Sequence, residues 1–140
     1  MREEVNAPVA NDVADSLMTR DGDTFAGMHV IVDLYGASQL DNIKLLEQAM
    51  KRCIAECGAT LLHLHLHHFT PNNGVTGVAI LAESHISVHT WPERKYAAFD
   101  IFMCGNAQPE LATSILAETF KPDYIETRLL RRGSELRGLE

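Results

Sequence analysis

Between Ala59 and Cys104 the chain packs four extended segments end to end: ATLLHLHLHHF, GVTGVAILA, SHISVHTW and YAAFDIFMC. Turn signals separate two of the three junctions, Pro71-Asn72-Asn73-Gly74 and Pro92-Glu93-Arg94-Lys95, whereas Ala82 to Ser84 offers no obvious turn, only a hydrophilic Glu83-Ser84. Connections this short leave no room for a crossover helix, so these strands are expected to pair antiparallel with their sequence neighbours.

Helical periodicity flanks the strands. After a β-rich run, MHVIVDLYG, the segment 37–58 places Ile43, Leu46, Met50, Cys53, Ile54 and Cys57 on one stripe, with Glu47 and Lys51 paired on the wet side. Asp41 is a candidate N-cap, and Gly58 ends the helix as a C-terminal cap. A second helix is expected from Pro109, with Leu111, Ile115, Leu116 and Phe120 inward and Pro122 as the stop, followed by a last strand in DYIETRLLRR. The order β-α-β-β-β-β-α-β predicts an α+β fold: a two-layer sandwich of a mainly antiparallel sheet with two helices on one face. The other face needs a cover, and a partner sheet from a second subunit would supply one. Residues 1–25 are polar, acidic and aperiodic and read as a disordered tail, leaving 26–140 as the folded domain.

Composition excludes several functions. At 140 residues and 46% apolar content the chain amounts to one domain with an ordinary core. It has neither an apolar run long enough to span a bilayer nor the apolar centre of a signal peptide, and its three cysteines are too few for a disulfide framework, so a cytoplasmic protein with free thiols is expected. A net charge of -7 argues against a nucleic-acid partner and suits, weakly, a cationic substrate.

Chemistry concentrates in ESHISVHTWPE, residues 83–93. Alternation sends Ile86, Val88 and Thr90 to one side and His85, Ser87, His89 and Trp91 to the other, so one face of this strand packs and the other is free to act. The run ESHISVHTWPE followed by YAAFDIFMCG resembles the processing site of the prokaryotic S-adenosylmethionine decarboxylases, and the resemblance extends from about Gly27 to roughly Gly133. Members of that family are pyruvoyl enzymes that make their own cofactor by cutting the backbone before a serine.

The resemblance implies cleavage between Glu83 and Ser84, giving a β chain 1–83 and an α chain 84–140 that begins with a pyruvoyl group derived from Ser84. That carbonyl would form a Schiff base with the substrate and accept electrons as carbon dioxide leaves. It further implies His89 as the proton acceptor of processing, Cys104 as the proton donor of decarboxylation, and Thr76, where many members have serine, as the hydroxyl that stabilises the cleavage intermediate. Without the motif, a cleft histidine and a small buried cysteine would be the ordinary readings of His89 and Cys104.

The substrate implied is S-adenosylmethionine, whose decarboxylation supplies the aminopropyl donor for spermidine synthesis. Its sulfonium, adenine and ribose diol call for aromatic faces and a carboxylate, for which Trp91, Glu93 and Phe69 are the candidates. His63, His65 and His67 alternate to one face as a metal site would, yet family members work without a catalytic metal, so none is expected and these residues read as lining a cleft between two protomers. The resemblance also implies a homodimer with shared active sites. The same machinery acting on arginine or ornithine, and a non-enzymatic His-rich metal-binding module, remain open on sequence alone.

Overall fold

The computed structural model describes residues 16–71 and 73–136. A six-stranded sheet runs in the order β4-β5-β6-β7-β3-β8, formed by β3 (Gly27–Tyr35), β4 (Leu61–His68), β5 (Val75–Leu81), β6 (Ser84–Trp91), β7 (Tyr96–Met103) and β8 (Tyr124–Arg132). Every neighbouring pair is antiparallel. Helices α1 (Ile43–Cys57) and α2 (Ala112–Phe120) cover one face, so the expected α+β two-layer sandwich holds, and the expected element order holds from β3 onward.

Alternation dictates the layering. In β3 the buried Met28, Val30, Val32 and Leu34 interleave with the partly exposed His29, Ile31 and Asp33 and the exposed Tyr35, and β6 and β7 repeat the pattern with Ile86 and Val88, and with Ala97, Phe99, Ile101 and Met103. These inward residues meet Leu46, Met50, Cys53 and Ile54 of α1 and Ile115, Leu116 and Phe120 of α2. Burial pushes the Cys53 thiol up to about 12 and that of Cys57 up to about 11, so both stay protonated packing groups at neutral pH.

Five local expectations need correction. The segment 16–25 is no tail: β1 (Met18–Arg20) and β2 (Asp23–Phe25) form a hairpin, because Met18 and Phe25 are fully apolar anchors for the core and Arg20 pairs with Glu110 at 2.8 Å. Residues 1–15 of the expected tail lie outside the described residues. The cap of α1 is Asn42 rather than Asp41, its side chain accepting from the Leu45 amide at 3.1 Å, and Ala49 replaces the half-buried Ile43 in the packed stripe. Pro109 opens a short 3-10 turn that ends at Leu111, which is 40% exposed; Ala112 takes the inward place. Finally, Ala82 and Glu83 form a two-residue turn, since Leu81 already pairs with Ser84. At the other end of α1, Gly58 takes φ +85°, the left-handed conformation expected of its cap.

Among the described residues Thr90 is the one buried polar side chain of the core. Its hydroxyl accepts the Val75 amide and donates to the Leu40 carbonyl, both at 2.9 Å. Thr90→Val keeps the shape but strands both backbone groups, and is expected to cost about 2–4 kcal/mol, read as a lowered urea midpoint at unchanged slope.

Candidate active site

The tight turn between β5 and β6 carries the first group of reactive residues. Glu83 sits at φ +65°, a left-handed conformation that a non-glycine residue adopts at a cost of roughly 1–2 kcal/mol. The Cys104 thiol, one residue past the end of β7, donates to the Glu83 carbonyl at 3.1 Å, and the Ser84 hydroxyl lies 3.7 Å from the same sulfur. Ser84 and Cys104 are half-buried and Glu83 is exposed. A nucleophile, the carbonyl preceding it and a thiol are thus gathered at one end of the sheet.

The second group lies at the other end of the same hairpin. Thr76 pairs across the ladder with His89, its hydroxyl 3.1 Å from Nδ1. Both line a cleft of about 200 Å³ together with Phe69, Gly74, Val75, Thr90, Trp91 and Glu93. The Trp91 ring stands 6.2 Å from that of His89 and is 41% exposed; Phe69 is 48% exposed and meets His67 edge-on at 4.5 Å. Gly74 is required at the cleft wall because a Cβ there would come within 2.9 Å of the Thr90 carbonyl oxygen.

The eight residues singled out from the sequence therefore form two sets: Glu83, Ser84 and Cys104, and apart from them Phe69, Thr76, His89, Trp91 and Glu93. His89 is five residues beyond Ser84 along β6, which at about 3.3 Å per residue is on the order of 16 Å. Within one chain the imidazole does not reach the serine. The cleft is also smaller than the roughly 300–1,000 Å³ that enclosed small-molecule sites occupy.

Between the two sets the bare sheet face carries Ser87, which alternation placed there, and polar groups not singled out from the sequence: His29, Asp33, Tyr96 and Asp100. His29 Nε2 lies 3.1 Å from Asp100 Oδ1, and Ser87 donates to Asp100 Oδ2 at 3.4 Å. Tyr96 donates to Asp33 at 2.7 Å; burial, joined by that carboxylate, raises its pKa and keeps the hydroxyl a donor. Its ring continues a ladder from Trp91 to Tyr35 and Tyr124, with centroid spacings of 5.1, 5.3 and 5.8 Å. The signal was available in the alternation of MHVIVDLY, which sends His29, Asp33 and Tyr35 to the same side. Among the described residues no three of His, Cys, Asp or Glu are gathered to hold a metal ion, and no helix is long and apolar enough to cross a membrane.

Fold and site together define an antiparallel α+β domain that leaves one polar sheet face bare and carries reactive groups at both of its ends. That class is represented by the crystal structure of the adenosylmethionine decarboxylase from Aquifex aeolicus, which this chain matches with a TM-score of 0.68 at 30% identity, over 79% of this chain and 92% of that one. The family model for S-adenosylmethionine decarboxylase matches residues 28–133. The S-adenosylmethionine decarboxylase proenzyme of Thermomicrobium roseum is 45% identical over 108 residues, 76% of this chain and 93% of its own length. That of Methanococcus aeolicus is 45% identical over 111 residues, 77% and 94% of the two chains. The chain belongs to the S-adenosylmethionine decarboxylase family.

Proposed function

We propose that this protein is a self-processing decarboxylase of S-adenosylmethionine that derives a pyruvoyl cofactor from Ser84 and works as a homodimer with shared active sites. The observation that carries the reading is the strained Glu83 turn, whose carbonyl already accepts a hydrogen bond from Cys104 beside the Ser84 hydroxyl. Ser84 Oγ attacks the Glu83 carbonyl carbon, the C–N bond breaks, and the freed nitrogen takes the proton, leaving an ester. Loss of the Ser84 α-proton then expels the Glu83 carboxylate and leaves dehydroalanine; water adds and ammonia leaves, so that the α chain begins with a keto group. Turn strain and the thiol hydrogen bond both favour the first step, the one by raising the ground state and the other by steadying charge on oxygen.

The proton transfers need an imidazole, and because about 16 Å separates Ser84 from His89 along β6, this reading gives that role to a partner subunit's His89. Two sheets packed through their bare faces with opposed strand directions bring the Ser84 end of one protomer against the Thr76–His89 end of the other. The same pairing covers the exposed polar face and enlarges the undersized cleft. A pyruvoyl group at position 84 supplies the conjugated carbonyl that accepts electrons when an amino-acid carboxylate leaves. Cys104 holds a proton at Sγ for return to the substrate's α-carbon. Trp91 and Phe69 present aromatic faces to the adenine and sulfonium, and Glu93 accepts from the ribose hydroxyls. An aromatic-lined cleft favours this substrate over arginine or ornithine, which have no ring to stack. Three free cysteines support a cytoplasmic location.

The test is the denatured intact mass with and without phenylhydrazine. Two fragments dividing at Glu83 and Ser84, the C-terminal one shifted by the carbonyl reagent, are expected; a chain that stays whole on incubation overturns the proposal. Cys104→Ala is expected to slow cleavage on the order of 10²-fold through loss of one donor to the developing oxyanion, followed by fragment appearance with time. Trp91→Ala is expected to leave cleavage intact and to raise KM by roughly 10-fold or more, about 1.4 kcal/mol or more of lost stacking and cation–π contact, in a carbon dioxide release assay.

A further inference from the structure

The outer edge of β8 points to a second surface of self-association. Among the described residues β8 ends the sheet; it pairs with β3 over nine consecutive positions without a register shift, and contains no proline, glycine or lysine. An edge so long and regular lacks the bulges and breaks that usually stop strands from adding to one another. It also exposes apolar side chains on both faces beside its charged ones: Tyr124 and Leu130 are 58% and 45% exposed on the bare face, flanking Glu126 and Arg128, and Leu129 is 52% exposed on the helix side.

We infer that the occupant of this edge is the β8 edge of a second copy, antiparallel, about a two-fold axis through Thr127. In that register Glu126 faces Arg128, Ile125 faces Leu129 and Tyr124 faces Leu130, each twice, with Thr127 opposite its own copy. Charge therefore meets opposite charge, and apolar meets apolar, on both faces of the joined sheets. Moving the axis one residue either way sets Glu126 opposite Glu126 or Arg128 opposite Arg128, and puts charged groups against apolar ones. Because side chains alternate, only axes through a residue keep facing side chains on one face, and among those through the central residues of β8 only the Thr127 axis matches every pair. The two-fold is normal to the sheet, so both bare faces stay on the same side and the sheet becomes continuous across the pair. β8 carries none of the residues assigned to cleavage or substrate binding, so this contact adds to the face-to-face pairing and does not compete with it.

Light-scattering mass of the full-length protein tests the inference, with cleavage followed separately by intact mass. Arg128→Glu is expected to halve the solution mass or reduce it further, and the reversed pair, Glu126→Arg with Arg128→Glu, to restore it. Thr127→Cys is expected to give an intermolecular disulfide on mild oxidation, since the two Cβ atoms face each other across the axis. A mass unchanged by Arg128→Glu would mean that the edge is empty or holds another partner, and a double variant as small as the single one would deny the charge match. Either result overturns the inference, as does a Thr127→Cys protein that stays unlinked. Failure of the shared-site reading would show in cleavage and leave these mass comparisons untouched.

Discussion

Ser84→Ala is expected to remain a single chain of full mass under conditions in which the unmodified protein is expected to separate into 1–83 and 84–140. In the proposed cleavage the hydroxyl is the attacking group, and methyl in its place has no lone pair to offer the Glu83 carbonyl. The turn at Glu83, at φ +65°, should persist, because Leu81 and Ser84 close it through backbone pairing that alanine preserves. Loss of cleavage with a retained fold, seen as an unchanged circular dichroism spectrum, separates a chemical defect from an unfolded one. Decarboxylation should fall on the order of 10⁵-fold, the scale of loss when the group carrying covalent chemistry is removed. A Ser84→Ala chain that still yields a phenylhydrazine-sensitive fragment would place the cofactor elsewhere.

The second large effect is expected if, as proposed, the site is divided between two chains. Alone, His89→Ala is expected to cleave slowly if at all, as Ser84→Ala does not cleave. Co-expressed, they form mixed dimers in which one site has lost both groups and the other keeps both, Ser84 from the His89→Ala chain and His89 from the Ser84→Ala chain. With random pairing about half of the His89→Ala chains should then be cut, and none of the Ser84→Ala chains. Intact mass distinguishes the two chains directly. If both groups acted within one chain, co-expression would rescue nothing. That outcome would require the hairpin to bend back on itself through about 16 Å, against the continuous ladder from Thr76–His89 to Leu81–Ser84.

Much of this architecture was legible in advance because it rests on local rules. Alternation in SHISVHTW assigned Ile86 and Val88 to the core and His89 and Trp91 to the bare face, and the helical stripe with Gly58 at its end located α1. The failures were also physical. The segment 16–25 looked like tail because its polar residues dominate, yet two apolar anchors, Met18 and Phe25, suffice when a core has room for them. Leu111 looked inward by period, but Pro109 opens a 3-10 turn whose shorter repeat rotates it outward and hands its place to Ala112.

The sequence by itself determined the element order from β3 onward and the layering, and it singled out the candidate site residues, since propensity and periodicity are written in neighbouring positions. Only the tertiary structure decided how those residues are grouped. Cys104 reaches the Glu83 carbonyl because β6 and β7 are in register, while His89 is carried away from Ser84 by the strand that contains both. Nearness along the chain is separation along a β-strand, and nearness in space comes from hydrogen-bonded pairing, which no local pattern specifies.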